Sequence, residues 1–321
     1  MSRRLGLSLL VLAALAAAPA AYAGGPAPGA LQDGIGVVSG NGNDRFVAQA
    51  AGTDTVLARI RVKNGAVRAS TLLPGAWGVP AVTSTGRGGL SIDGRLLVLA
   101  QTGIASPSRF LVVETGSLTP LNSITLKGHY SFDALSPDGS RLYLIQHMSL
   151  DDYSHYIVRA YDLDENRLLP GRIADKTQRG WVMEGFALTR ATSQGGRWVY
   201  TLYMNPGGYP FIHALDTVHG VAHCIGLPYT GDQGKLSRIV LGLADGGGKL
   251  EVRWKSGARW LGIDTSSWRI THARPTAATG DGFPWTWVSA GAGLALVGAL
   301  ALGAVAVARR RQAKEALPVP L

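Results

Sequence analysis

The chain has 321 residues, 46% of them hydrophobic, and carries 31 basic against 21 acidic side chains, a formal net charge of +10. Six of the basic residues (Arg3, Arg4, Arg309, Arg310, Arg311, Lys314) and Glu315 belong to the two ends, which leaves 25 basic and 20 acidic side chains between them, about +5. That excess is no nucleic-acid footprint, and the single cysteine, Cys224, excludes an internal disulfide, so the core must hold the fold alone.

In chain order, the first element is a targeting signal. Arg3 and Arg4 precede an apolar run from Leu5 to Ala18, which closes on Ala21-Tyr22-Ala23. A charged start, an apolar stretch and small residues at the A-x-A positions predict a signal peptide cleaved after Ala23. The alternative, an uncleaved anchor, would want roughly 20 apolar residues. Residues 24–34 then read as a linker.

From residue 35 to 273 one unit recurs. Its first half is a turn followed by an alternating strand. The copies are Gly42-Asn43-Asp44 before Arg45-Phe46-Val47, Ile92-Asp93-Gly94 before Arg95-Leu96-Leu97, and Ser136-Pro137-Asp138-Gly139 before Arg141-Leu142-Tyr143. Gln194-Gly195-Gly196 before Arg197-Trp198-Val199 and Gly246-Gly247-Gly248 before Lys249-Leu250-Glu251 complete the set. The second half is a further hairpin, whose strand ends in Asp at Asp162, Asp216 and Asp264. Turn residues between β-branched and aromatic runs are hairpin signals, and a fixed period of four short strands predicts a β-propeller. The fold class expected is therefore all-β, with five four-stranded blades (six is the alternative) and one C-terminal transmembrane helix. A β-sandwich would not explain the period.

Ser-Pro-Asp-Gly before Arg-Leu-Tyr, with a later aromatic and aliphatic strand ending in Asp, resembles the WD-like and YVTN-type repeats of bacterial extracytoplasmic propellers. The resemblance implies a fold and is silent about function, because such propellers host many roles.

Propeller topology sorts the loops by face. The turns within each unit's two hairpins are tight and read as structural. The opposite face carries longer loops with Trp77, His129, Tyr130, His147, Tyr153, His155, Arg179, Trp181, Tyr203, Tyr209 and Tyr229. Aromatic and polar side chains on the loops of a rigid scaffold predict a recognition surface, although large loops also carry aromatics to pack over blade edges. His219, His223 and Cys224 resemble a metal cluster, but the register puts His219 in a hairpin turn and the other two on a strand, facing opposite ways. His147, Asp151, Asp152 and His155 share one loop and offer a cation site or an acid–base pair, weighed against ordinary solvated loop residues. No phosphate-cradling loop, calcium loop or nucleophile elbow occurs, so no catalytic residue, metal or cofactor is assigned.

After a stalk at 274–286 comes the last element. Val288 to Ala308 holds no charged residue and spans roughly 30 Å as a helix, the thickness of the hydrocarbon core. Trp285 and Trp287 stand at its outer boundary, and Arg309, Arg310, Arg311 and Lys314 follow, so the positive-inside rule predicts a single-pass helix at 287–308 with a cytoplasmic tail at 309–321. The function expected is a propeller held outside the cell membrane that binds a protein, peptide or glycan. The alternative is a lyase, hydrolase or cyclase working at the central channel through Glu184, Asp133, His129 or Arg87.

Overall fold

A computed structural model of the chain describes residues 30–103, 105–149, 151–177 and 183–272. The expected signal peptide, stalk, membrane helix and tail lie outside the described residues, as do Arg179 and Trp181. Among the described residues no helix is long and apolar enough to cross a membrane.

The described chain is all-β apart from two short 3-10 turns, and its strands form five antiparallel sheets. A two-residue strand, β1 (Ala30–Leu31), comes first. The first sheet is β2 (Val37–Val38), β3 (Asp44–Ala51), β4 (Asp54–Arg61) and β5 (Val67–Leu73). The second is β6 (Trp77–Pro80), β7 (Leu96–Gln101), β8 (Ser108–Glu114) and β9 (Thr119–Leu126). The third holds β10 (His129–Leu135), β11 (Arg141–His147), β12 (His155–Asp162) and β13 (Arg167–Leu168), with β14 (Met183–Glu184) also on β12. The fourth is β15 (Phe186–Thr192), β16 (Trp198–Met204), β17 (Phe211–Asp216) and β18 (Val221–Gly226). The fifth is β19 (Ile239–Ala244), β20 (Lys249–Trp254), β21 (Arg259–Asp264) and β22 (Ile270–His272).

Burial explains the strand sequences. β6 is buried throughout and β10 nearly so, because inner strands are covered on both faces and therefore read as continuous apolar runs. At the outer edge, β5 alternates half-buried with exposed residues, one face packed and one wet. Cores lie between successive sheets. Phe46 and Leu57 meet Leu97 and Leu111; Val98 and Phe110 meet Leu142 and Leu144. Tyr143 meets Val199 and Leu215, and Leu202 and Ile212 meet Leu241 and Leu250.

The first hairpin turn of each unit is built alike in four of the five. Ser39, Ser91, Ser136 and Ser193 each accept a backbone N–H five residues on, from Asp44, Leu96, Arg141 and Trp198. Each turn closes on a glycine with positive φ (Gly42, Gly94, Gly139, Gly196), a conformation side chains resist. The second hairpin is clamped to the first: Thr115 donates its hydroxyl to Gly94 O at 2.6 Å, Thr217 to Gly196 O at 2.9 Å and Thr265 to Gly247 O at 2.8 Å. The acids ending the third strands cap their own turns, Asp216 accepting from the amides of Val218 and His219.

These turns converge. Ile92, in the turn of the second sheet, touches the turns of the fourth and the first: a methyl on Gly196 would stand 3.1 Å from Ile92 Cβ, and one on Gly40 3.6 Å from Ile92 O. The sheets thus curve around a shared axis, and the repeat-type arrangement is that of a β-propeller.

One departure from the expected layout concerns residues 24–34. Ala30 and Leu31 pair with Pro80 and Val79 on the inner edge of the second sheet, so part of the expected linker is a strand lying inside β6. Two apolar residues give no readable alternation. Downstream, Gln32 donates to Thr55 Oγ1 and Asp33 accepts from the Ala50 amide, which ties this segment to the first sheet as well.

Candidate functional site

At the axis end opposite the Ile92 turns, a small cleft opens between the second, third and fourth sheets. Ser131 and Phe132 of β10 form one wall, with His147 at the end of β11. Tyr153 in the following loop, Tyr156 on β12, Phe186 on β15 and Tyr203 on β16 complete its polar and aromatic lining. Strand pairing makes the geometry: His129 sits opposite His147 and Ser131 opposite Ile145, so Ser131 and His147 are diagonal neighbours on one face.

Ser131 Oγ and His147 Nε2 are 2.7 Å apart. Tyr153 meets the His147 ring edge-on, with centroids 5.5 Å apart. Tyr203 stacks on Tyr156 at 5.5 Å and on Phe211 at 5.2 Å. Burial pushes the His147 imidazole down to about 4 and the Tyr203 phenol well above its usual value, so both are neutral at pH 7. None of the lining side chains is then charged.

Beneath the cleft lies a polar layer joining the third and fourth sheets. Asp133 and Arg190 form a buried ion pair, and Arg190 also donates to Thr201 Oγ1 at 2.9 Å. His213, on β17, is held at about 4 by burial, and its Nδ1 lies 3.7 Å from the Cys224 sulfur. Burial drives the Cys224 thiol up to about 12, which makes it a poor nucleophile. Asp175 accepts the Cys224 amide at 2.9 Å.

At the cleft's rim His155 stands between two carboxylates, with Nδ1 2.7 Å from Asp152 and Nε2 3.1 Å from Glu184. Its proton affinity is raised, chiefly by the Asp152 hydrogen bond. Asp152 and His155, read together from the sequence, do pair; His147 from the same stretch turns inward to Ser131.

The structure brings His147, Tyr153 and Tyr203 into the cleft, with His129 opposite His147 on the neighbouring strand and His155 at the rim. It sends others elsewhere. Trp77 is a core residue whose indole donates to Pro74 O at 2.7 Å, and Tyr130 is buried between the second and third sheets. Tyr229 packs edge-on against Trp260 and donates to Asp232 O, while Tyr209 is 64% exposed on the loop before β17. The channel candidates do not gather into one site: Asp133 is sealed against Arg190, Glu184 faces His155, and Arg87 donates to Gly86 O. His219 pairs with Asp216 and His223 lies against Trp268, apart from Cys224 beside His213. Among the described residues no three His, Cys, Asp or Glu side chains are grouped to hold a metal. Ser131, Tyr156 and Phe186 were not legible as site residues, because each sits in a strand whose sequence reads as core. Only the register joins them.

No protein-family profile and no curated protein matches the chain. Among solved structures, TolB from Acinetobacter baumannii is 10% identical at a TM-score of 0.42, covering 73% of this chain and 54% of its own, so the chain spans about half that protein's length. The Swd1 β-propeller domain of Myceliophteria thermophila is 10% identical, with a TM-score of 0.43 over 79% and 69% of the two chains. A functionally unknown protein from Desulfotomaculum acetoxidans is 9% identical, with a TM-score of 0.47 over 76% and 69%. At such identities and scores none of these likenesses transfers a function.

Proposed function

We propose that the chain is a five-bladed propeller, exported by its N-terminal segment and held outside the cell membrane by the helix at 287–308, that recognises a protein, peptide or glycan through its loop-bearing face. The observation that carries the recognition reading is the cleft, where aromatic side chains and a neutral imidazole converge on that face. Support for the anchor comes from the apolar run, its flanking tryptophans and the four cations after it.

A photo-cross-linking residue placed at Tyr209, on the cleft side, should trap a partner in intact cells. The same residue at Asn64, in a tight turn of the opposite face, should trap none. Equal capture at both positions, or at neither, would sink the assignment of the face. Carbonate-resistant membrane association, lost when residues 287–308 are deleted, tests the anchor.

Hydrolysis is the second reading, and the contact between Ser131 and the neutral His147 imidazole favours it. A panel of acyl esters turned over by the native chain and not by Ser131→Ala would support it; no turnover by either would remove it.

A further inference from the structure

The fifth sheet is charged differently at its two ends. At the end it shares with the Ile92 turns, Lys249 and Arg269 stand with Asp245 and Asp264, in balance. At the cleft end Lys235, Arg238, Arg253, Lys255 and Arg259 are all exposed, against Asp232 and Glu251. Arg253 and Arg259 share Glu251, and Asp232 caps the Gly234 amide. Among the described residues Lys235, Arg238 and Lys255 make no ion pair. The backbone sets two of these three side by side, the Lys255 amide donating to Arg238 O at 2.7 Å.

Three rings share this end. The Trp260 centroid lies 5.4 Å from that of Tyr229 and 6.0 Å from that of Trp254. Each ring packs on the core of the fourth and fifth sheets yet is only half-buried. Amphipathic rings with one part dry and one part wet, set beside unpaired cations, suit a layer of lipid headgroups.

Where the chain leaves the sheet says what meets this end. Ile270 pairs with Ile263 and His272 with Leu261, so β22 runs toward Arg259 and exits at the cationic end. Residues 273–286 then lead to the apolar run at 287–308, and as a flexible coil they span about 20 Å. The opposite end of the sheet stands further off by the length of β21, roughly another 20 Å. A bilayer that receives 287–308 is thereby held beside these cations and rings at a high effective concentration, an advantage no freely diffusing partner has.

We propose that the cleft end of the fifth sheet docks on anionic headgroups of the bilayer that the chain's own helix enters. Lys235, Arg238 and Lys255 meet the phosphates, and Trp254 and Trp260 stand at the headgroup boundary. The recognition cleft then faces the membrane. This rests on the anchor reading above and adds an orientation to it.

The full-length chain is reconstituted in phosphatidylcholine vesicles with and without phosphatidylglycerol. It carries a donor dye at Ser256→Cys, in the turn beside Lys255, or at Ser266→Cys, in the turn of the opposite end, each with Cys224→Ala. Energy transfer to a headgroup-labelled lipid is read. In anionic vesicles transfer from position 256 should exceed that from 266, and the excess should vanish in neutral vesicles and at high salt. Lys235→Gln, Arg238→Gln and Lys255→Gln should each lower the docked-to-undocked ratio about 5-fold, and together about 100-fold. Equal transfer from the two positions, or an excess indifferent to lipid charge or to the triple variant, would overturn the docking. Loss of the Tyr209 cross-link in the triple variant with transfer unchanged would assign the cations to a protein partner and overturn it too. If the chain resists carbonate extraction while transfer is equal, the docking falls and the anchor reading stands. If the chain fails to insert, the anchor reading falls. The docking is then upheld by sedimentation with anionic but not neutral vesicles, and overturned by its absence.

Discussion

Arg190 of β15 reaches across the junction of the third and fourth sheets to Asp133 of β10, and the two side chains are only 12% and 3% exposed. Both inner strands bulge at this point: the β10 register shifts around Asp133, and that of β15 between Ala187 and Thr189. A bulge turns a side chain away from the regular pleat, which lets a carboxylate on one strand meet a guanidinium on another. Arg190 also donates to the Asp133 backbone carbonyl, so the pair is hydrogen-bonded as well as charged.

Breaking this pair on one side should cost far more than removing both charges. Asp133→Ala leaves a buried guanidinium uncompensated, and a loss of about 3 to 5 kcal/mol is expected in urea unfolding. Combining Asp133→Leu with Arg190→Met should recover most of it, because no orphan charge remains. If the double variant is as unstable as the single one, the pair's geometry contributes more than charge compensation.

The second prediction concerns the strand inside β6. A methyl on Gly78 would stand 2.7 to 2.8 Å from the backbone of Leu31, closer than any real Cβ contact. Gly78→Ala should therefore lift β1 off the inner edge of the second sheet, at a cost of about 1 to 3 kcal/mol. Amide exchange of Leu31 and Val79 should accelerate, while the Val98 amide, which donates to Gly89 O deeper in that sheet, should keep its protection.

How far could this have been read from the sequence? The turns were legible because their chemistry is local: the motif Ser136-Pro137-Asp138-Gly139 contains the hydrogen bonds and the left-handed glycine that close it. So was the separation of His219 from Cys224, since Asp216 pairs with Val221 and fixes the hairpin between them. Long-range neighbours were not legible. Nothing near Ser131 announces His147, and Asp133 and Arg190 are 57 residues apart with no periodic signal joining them. Trp77 and Tyr130 looked like loop aromatics because composition cannot tell a ring facing a neighbouring sheet from one facing solvent.

Acid should weaken the fold through Asp216. Burial alone would raise this carboxyl, but hydrogen bonds from Arg197, His219 and the Val218 amide hold it at about 2. The folded carboxyl titrates below the unfolded one, so its contribution is complete above pH 4 and drains away as the pH falls toward 2. Because Arg197 is half exposed, the shift is discounted to about 1 to 2 kcal/mol. Asp216→Asn should lose that amount at pH 7 and much less at pH 2, so its unfolding free energy plotted against pH should be flatter than that of the native chain.

The last prediction is a pH response at the cleft's rim. A neutral imidazole has one N–H, yet His155 faces carboxylates from both nitrogens: Asp152 on its own loop and Glu184 on β14. Only the imidazolium can donate to both, so its midpoint should lie above the ordinary 6.5, and Asp152→Asn or Glu184→Gln should each lower it. Because the folded value is raised, the double clamp is complete below pH 6.5 and lost as the pH rises through the folded midpoint. The clamp ties the loop bearing Tyr153 to the strand leading into Phe186, alongside the bond from the Gly185 amide to Ser154 O at 2.9 Å. Amide exchange at Gly185 and Met148 should therefore rise, beyond the intrinsic pH effect, across the same interval in which the His155 ring titrates. His155→Gln should remove that step, and a step that persists in His155→Gln would assign it to another group.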